Sequence, residues 1–223
     1  MSASTTGDSG ARYVPAAGRR AFTRLYDPVI ALTMRERTFR ARLRDQVATG
    51  LPAGGGTLVD VGAGTGTFAI ALAAAIPDAR VVGVDGDEEI LALARAKAGA
   101  EGVSWERGLA QKLPLADASA DRVAMSLVLH HLTPDDKRAA LAEARRVLRP
   151  GGRLHVADFG KPRNPILRAA FLVVQATDGF DVTRDHAAGR LPALIAAAGY
   201  TGITSHERLT TAFGTLELLS ATR

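Results

Sequence analysis

Apolar positions recur along the chain in two rhythms. Between about residues 20 and 48, Leu25, Val29, Leu32, Phe39, Leu43 and Val47 fall three to four positions apart, which predicts helix. Asp27-Pro28 marks a helix start or a break within that stretch, and Leu51-Pro52-Ala53-Gly54-Gly55-Gly56 is a linker. Beyond it, short β-branched runs alternate with Ala-rich stretches. Strands are predicted at 57–61, 80–84, 103–106, 121–127 and 153–158, with helices over 65–76, 87–98 and 133–148. Pro77-Asp78 closes the first of these helices. Thr133-Pro134-Asp135-Asp136 opens the last, because a hydroxyl can cap, proline suits the first turn and acids meet the helix dipole. Pro150-Gly151-Gly152 stops it.

Strand, helix, strand at short intervals predicts an α/β fold, a doubly wound and mostly parallel sheet with helices on both faces. Residues 160–187 break the alternation with one apolar helix, about 165–177, between polar ends. A helix over 191–198 ends at Gly199, and two β-rich segments, 200–209 and 213–221, follow. The expected organisation is a disordered leader at 1–19 and one domain over 20–223. Within it, 20–53 form an N-terminal helical cap, 54–159 the ligand-binding core, 160–187 an insertion and 188–223 a helix and strands.

Composition narrows the class. A chain of 223 residues with 47% hydrophobic and 23% charged residues can bury a sizeable core. With no Cys there is no disulfide, no thiolate metal site and no cysteine nucleophile, and a reducing cytoplasm is the expected compartment. Residues 1–12 lack an apolar signal region, and Arg19-Arg20 is not followed by the apolar run of a twin-arginine signal. The apolar stretch from Phe68 to Ile76 is far short of the ~20 residues of a membrane helix. Net charge is +5, but the excess is local: residues 1–49 carry nine Arg against Asp8, Asp27, Glu36 and Asp45, and the remainder is balanced. That distribution weakens a nucleic-acid partner without removing it; no membrane partner is expected, and monomer and homodimer both stay open.

The strongest chemical signal is LVDVGAGTGTFAIAL at 58–72. A strand ends in Asp60, and Gly62, Gly64 and Gly66 follow at alternate positions, with Ala63 between them, before a helix. Glycines here allow a tight turn and let a ligand lie against the main chain. Asp85 ends the next strand, 19 residues after Gly66, where an acid can accept hydrogen bonds from two ribose hydroxyls. The spacing is not the G-x-G-x-x-G of dinucleotide sites. Asp60 would face a pyrophosphate badly, whereas it suits a ligand carrying an ammonium group.

With VDVGAGTG (59–66), VVGVDGD (81–87), LPLADASADRVAMSLVLHHL (113–132) and VLRPGGRLHVADF (147–159), the sequence resembles the class I S-adenosylmethionine-dependent methyltransferases. It is most similar to the small-molecule group related to ubiquinone/menaquinone-biosynthesis methyltransferases. The resemblance covers roughly residues 20–160, with a weaker match to the end. It implies a seven-stranded sheet with an antiparallel last strand. S-adenosylmethionine is the implied cofactor, with S-adenosylhomocysteine as product, and the implied reaction is methyl transfer to O, N or C of a small acceptor such as a secondary metabolite or quinone-like ring. By position, the Gly62–Gly66 turn would hold the methionine and ribose, Asp60 the amino group, and Asp85 with Gly86 the ribose hydroxyls. Ser126 would border the methionine end, and Tyr26 would fold over the cofactor. The pattern departs at Gly108-Leu109-Ala110-Gln111. Leu109 stands where the family commonly has an acid for the adenine amino group, and only the Ala110 backbone remains to meet the ring.

Candidate catalytic bases are His130 and His131, just past the fourth strand at the carboxyl edge of the sheet. The bland reading is that one of them caps the Thr133 helix or packs under the sheet. His155 reads as a satisfied core residue, and His186 and His206 as surface residues. Arg35, Arg37 and Arg40 read as a solvated helix face or as partners of an anionic substrate group. Asp158 and Phe159 are expected to line an acceptor pocket. Phe171, Gln175, Asp178 and Phe180 of the insertion are expected to cap it. No acid ends the fourth strand, so no metal is expected, and no (Asp/Asn)-Pro-Pro-(Tyr/Phe) motif points to nucleic-acid amines. The competing readings are an RNA methyltransferase using the basic N-terminal segment, a cofactor-binding relative that transfers no methyl, and a nicotinamide dehydrogenase.

Overall fold

The computed structural model describes residues 34–223. The leader, the first part of the N-terminal helical segment and Tyr26 lie outside the described residues. Helix α1 (Glu36–Ala48) buries Phe39, Leu43 and Val47, one stripe at four-residue spacing. There follow β1 (Thr57–Val61), α2 (Thr67–Ala75), β2 (Arg80–Asp85), α3 (Glu88–Arg95), β3 (Val103–Arg107), β4 (Ala120–Ser126), α4 (Pro134–Val147), β5 (Leu148–Phe159), α5 (Pro165–Asp178), α6 (Phe180–Ala187), α7 (Leu191–Ala197), β6 (Thr201–Thr211) and β7 (Gly214–Thr222).

The seven strands form one sheet in the order β3-β2-β1-β4-β5-β7-β6. β1 to β5 are mutually parallel, and β7 runs antiparallel between β5 and β6. The doubly wound α/β expectation is met, with the antiparallel last strand that the resemblance implied. Because side chains alternate along a strand, the central strands feed two cores. Val59, Val61, Val123, Met125, Leu154 and Val156 pack with α4 and α7 on one face. Leu58, Ala124, Ala157 and Phe159 pack with α1, α2 and α5 on the other. Chain order reverses between β1 and β4, and at such a switch point the connections diverge and leave a crevice at the carboxyl edge.

Two parts differ from the sequence expectation. α4 ends at Val147, and Leu148 already pairs with Ala120; the register then shifts before Arg122 meets Arg153. Pro150-Gly151-Gly152 therefore belongs to an irregular strand, not to a helix stop. The polar run after the apolar helix is itself a helix, α6, whose buried positions are Thr183, Asp185 and His186. An apolar period could not reveal it, because its inward face is polar.

Candidate active site

The glycine turn joins β1 to α2. The backbone N–H groups of Gly62 and Ala63 donate to the carbonyl of Val84, at 2.8 and 3.0 Å, which ties the turn to β2. Gly64 N–H donates to Asp85 Oδ2 at 2.8 Å, and Asp87 N–H donates to Asp85 Oδ1 at 3.0 Å. Asp85 thus shapes the turn, and a carboxylate still keeps lone pairs for two further donors. The glycines differ in purpose. A Cβ on Gly62 would meet Val128 Cγ2 at 2.4 Å, so packing demands glycine there. A Cβ on Gly64, at φ +54°, would meet nothing within 4 Å, so this position opens toward a ligand. Gly86, Leu109 and Ala110 lie half-buried beside the end of β2, where Gly108 N–H donates to the Asp85 carbonyl at 2.9 Å.

Asp60 and Ser126 end adjacent parallel strands and point to the same face of the sheet: Asp60 pairs with Ala124, two residues before Ser126. Asp60 is buried, and its Oδ2 and the Ser126 hydroxyl both lack a hydrogen-bond partner among the described residues. Burial pushes the Asp60 carboxyl up to about 7; Asp85 adds to the rise, while the Arg40 charge and the Ala69 N–H at the start of α2 oppose it. Arg40 is half-buried beside Glu36, not part of a solvated face, whereas Arg35 and Arg37 are exposed. Two orphaned oxygens on one crevice wall fit a ligand that brings its own donors and a positive charge, since buried polar groups otherwise cost free energy.

The second cluster lies past β4 and β5. Leu127 sits at φ +58°, a strained conformation for leucine, and its N–H donates to the Ala157 carbonyl at 2.8 Å. A single 3₁₀ turn, Leu129–His131, follows. Asp158, wholly buried, accepts from Leu129 N–H at 2.8 Å, from Phe159 N–H at 2.7 Å and from His130 Nδ1–H at 2.7 Å. A carboxylate can only accept, so His130 Nδ1 carries a proton, and in the neutral ring Nε2 is the lone-pair nitrogen. Burial alone would raise the Asp158 carboxyl; the two imidazoles His130 and His186 and the backbone donor hold it well below the usual range. Asp178, the last residue of α5, has Oδ2 3.6 Å from His130 Nε2 and 3.6 Å from His131 Nδ1. Burial and the neighbouring imidazoles lower His131 to about 3, so it is neutral at neutral pH.

The structure thus brings four expected site residues, His130, His131, Asp158 and Asp178, into one cluster. Phe159 meets the His130 ring edge-on at 5.0 Å. Phe171 is fully buried against Phe159 at 5.2 Å, part of the core. Gln175 donates to the Thr183 hydroxyl at 3.2 Å, a link between α5 and α6, and Phe180 stands 58% exposed.

Two histidines depart from the sequence reading. His186 is fully buried, not on the surface, with Nε2 3.7 Å from Asp158 Oδ1, too long for a hydrogen bond. Burial lowers it to about 4. His155 is in the core as expected, but neither ring nitrogen has a partner among the described residues. It lines a cavity of about 390 Å³ at the opposite end of β5, together with Gln46, Arg153 and His206, which is exposed as expected. Lys137 was missed as well. It is buried in α4, and its ammonium donates to the Val182 carbonyl and lies 3.6 Å from Asp185, which fastens α6.

With this geometry in view, the likenesses are specific. Residues 58–152, under half of the chain, match the methyltransferase domain family. The ubiquinone/menaquinone biosynthesis C-methyltransferase UbiE of Paracoccus denitrificans is 41% identical over 138 residues, 59% of this chain and 52% of that protein. The malonyl-[acyl-carrier protein] O-methyltransferase of Methylococcus capsulatus is 39% identical over 124 residues, 55% and 43% of the two chains. The chain spans about half the length of the curated relatives it matches. Among solved structures, phosphoethanolamine N-methyltransferase 2 of Haemonchus contortus in complex with S-adenosylmethionine superposes with a TM-score of 0.66 at 15% identity, over 83% of this chain and 52% of that one. A SAM-dependent methyltransferase of Aquifex aeolicus does so with a TM-score of 0.60 at 20% identity, over 82% and 89%. The fold is that of class I S-adenosylmethionine-dependent methyltransferases, and residues 58–152 carry the sequence match to the methyltransferase domain family. Within that class the chain is similar to the ubiquinone/menaquinone-biosynthesis enzymes, as its motifs implied. Among the described residues no helix is long and apolar enough to cross a membrane.

Proposed function

We propose that the protein transfers a methyl group from S-adenosylmethionine to a small organic acceptor. The observation that carries this reading is the pair of partnerless buried oxygens, on Asp60 and Ser126, at the switch point beside the open Gly64. When bound, the cofactor supplies an electrophilic methyl carbon on a sulfonium. In this reading Asp60 holds the amino group, and Asp85 uses its remaining lone pairs for the ribose hydroxyls. Gly64 lets the main chain approach the ligand, Gly62, Ala63 and Gly66 complete the turn that faces it, and Ser126 borders its methionine end. Gly86 lies beside the ribose, and Ala110 meets the base without help from Leu109.

The acceptor site is the cluster at the ends of β4 and β5. Asp158 fixes the His130 ring so that Nε2 can take a proton as the acceptor attacks, with His131 beside it as a second neutral imidazole. Such a base adds typically ~10²–10⁴-fold, and positioning of the reactants supplies further rate. Asp178, Phe159 and the exposed Phe180 border the acceptor; Phe171 and Gln175 support this wall from behind. The reading includes a cytoplasmic enzyme acting as a monomer or homodimer.

The test is incubation with methyl-labelled S-adenosylmethionine and a cell extract divided into organic-soluble, RNA and protein fractions. Label in an organic-soluble product is expected. Label in RNA alone would overturn the small-molecule reading, and cofactor binding with no label in any fraction would favour a relative that transfers no methyl.

A further inference from the structure

His130, His131 and Asp178 each offer one donor atom, and the three atoms lie within 4.8 Å of one another. We propose that they form a site for a divalent transition-metal ion of the zinc or cobalt kind, at the acceptor end of the crevice. The inference rests on the reading that this cluster is where the acceptor binds.

Distances favour it. His130 Nε2 and His131 Nδ1 each stand 3.6 Å from the same oxygen, Asp178 Oδ2. At metal–ligand bonds near 2.1 Å, neighbouring donors of a tetrahedral site are about 3.4 Å apart. The donors are already placed to within small side-chain movements.

A supporting carboxylate is also present. Metal-bound histidines commonly donate their other ring N–H to a carboxylate, which fixes tautomer and orientation. Asp158 does this for His130 at 2.7 Å, and is itself held by the N–H groups of Leu129 and Phe159. The lone pair that faces Asp178 is therefore on the nitrogen a metal would need.

Two imidazoles and one carboxylate suit zinc, cobalt, nickel or iron(II) better than calcium or magnesium, which take mostly oxygen ligands. With the ion bound, His130 Nε2 is a ligand and no longer a base; three protein donors leave a coordination position open, where the ion itself would acidify a bound acceptor hydroxyl. An acceptor bearing a metal-ligating oxygen, such as a phenol, an enol or a carboxylate, is the class that would use it. The sequence alone shows two adjacent histidines but not the third donor, which arrives from the far end of α5.

The experiment treats the full chain with chelator and titrates it with Co(II), reading the visible absorption bands and the bound metal per chain. One equivalent is expected, with bands of a low-coordinate site. D178A and H131A should each lose at least tenfold in affinity, and D158N about ten- to a hundredfold. Thermal melts of each variant confirm folding; D178N serves if D178A is destabilised. Absence of bound Co(II) at millimolar metal would overturn the site, as would wild-type binding in folded D178A and H131A. Calorimetry with S-adenosylmethionine on the same samples separates the two readings, because Asp178 lies outside the proposed cofactor crevice. Cofactor binding without metal binding sinks only the metal site.

Discussion

Asp158 accepts a hydrogen bond from His130 Nδ1–H at 2.7 Å, and the two are fully enclosed at the carboxyl ends of neighbouring strands. The contact sets which nitrogen of His130 faces the crevice. D158N keeps the shape but leaves one acceptor oxygen for three N–H donors, so the contact that fixes the ring's tautomer is weakened. The expected outcome is a fall in kcat of roughly 10²-fold or more with the cofactor Kd unchanged, checked by steady-state methyl transfer and calorimetry. A melt should show lost stability as well, because the amide leaves one of three buried N–H donors without its acceptor, at about 1–3 kcal/mol.

Asp60 makes cofactor binding depend on pH. Its folded value, about 7, lies above the ordinary carboxyl value of 3.8 because the group is buried. Below it the carboxyl is protonated and cannot pair with an ammonium. Affinity for S-adenosylmethionine should therefore fall as pH drops below about 7, approaching tenfold per unit, and D60N should bind weakly with a flattened profile. Without ligand the sign reverses: the native state binds the extra proton between about pH 4 and 7, so this group's contribution to stability declines across that window as pH rises. Calorimetric titrations and melts across pH 5.5–8.5 read both effects.

Gly62 and Gly64 separate packing from binding within the glycine turn. G62A places a methyl within 2.4 Å of Val128 Cγ2 and should destabilise the fold, with partial recovery in the G62A/V128A pair. G64A meets no protein atom, so it should cost only about 1–2 kcal/mol of backbone strain yet impair cofactor binding more than stability. Melts and binding on the same preparations distinguish the two.

Phe171 and Phe180 were expected to play one role and are placed for two. F171A removes a fully buried ring from the contact with Phe159 and should cost about 3–5 kcal/mol. F180A removes an exposed ring, so the melting temperature should hardly move while the KM for the acceptor rises. A changed KM without a changed kcat would place Phe180 in uniform binding of the acceptor.

The parallel core was legible because its strands and helices carry their own periods, and the glycine turn because Asp60 and Asp85 flank it at fixed spacing. The acceptor side was harder to read. His130 and His131 stood out as adjacent histidines after β4, but Asp178 reaches them only through the course of α5, and His186 only through α6. That helix buries Thr183, Asp185 and His186, so no apolar stripe announced it. The irregular start of β5 was hidden for a related reason: strand pairing with Ala120 overrode the turn preference of Pro150-Gly151-Gly152.

The central claim is that the crevice between β1 and β4 holds S-adenosylmethionine through Asp60. The most direct measurement is a calorimetric titration of the full chain at pH 8 with S-adenosylmethionine, with NAD as the contrast and D60N as the control. Saturable binding of S-adenosylmethionine, none of NAD, and a large loss in D60N is the predicted result. A folded protein that binds no S-adenosylmethionine, or binds it equally well in D60N, would contradict the account.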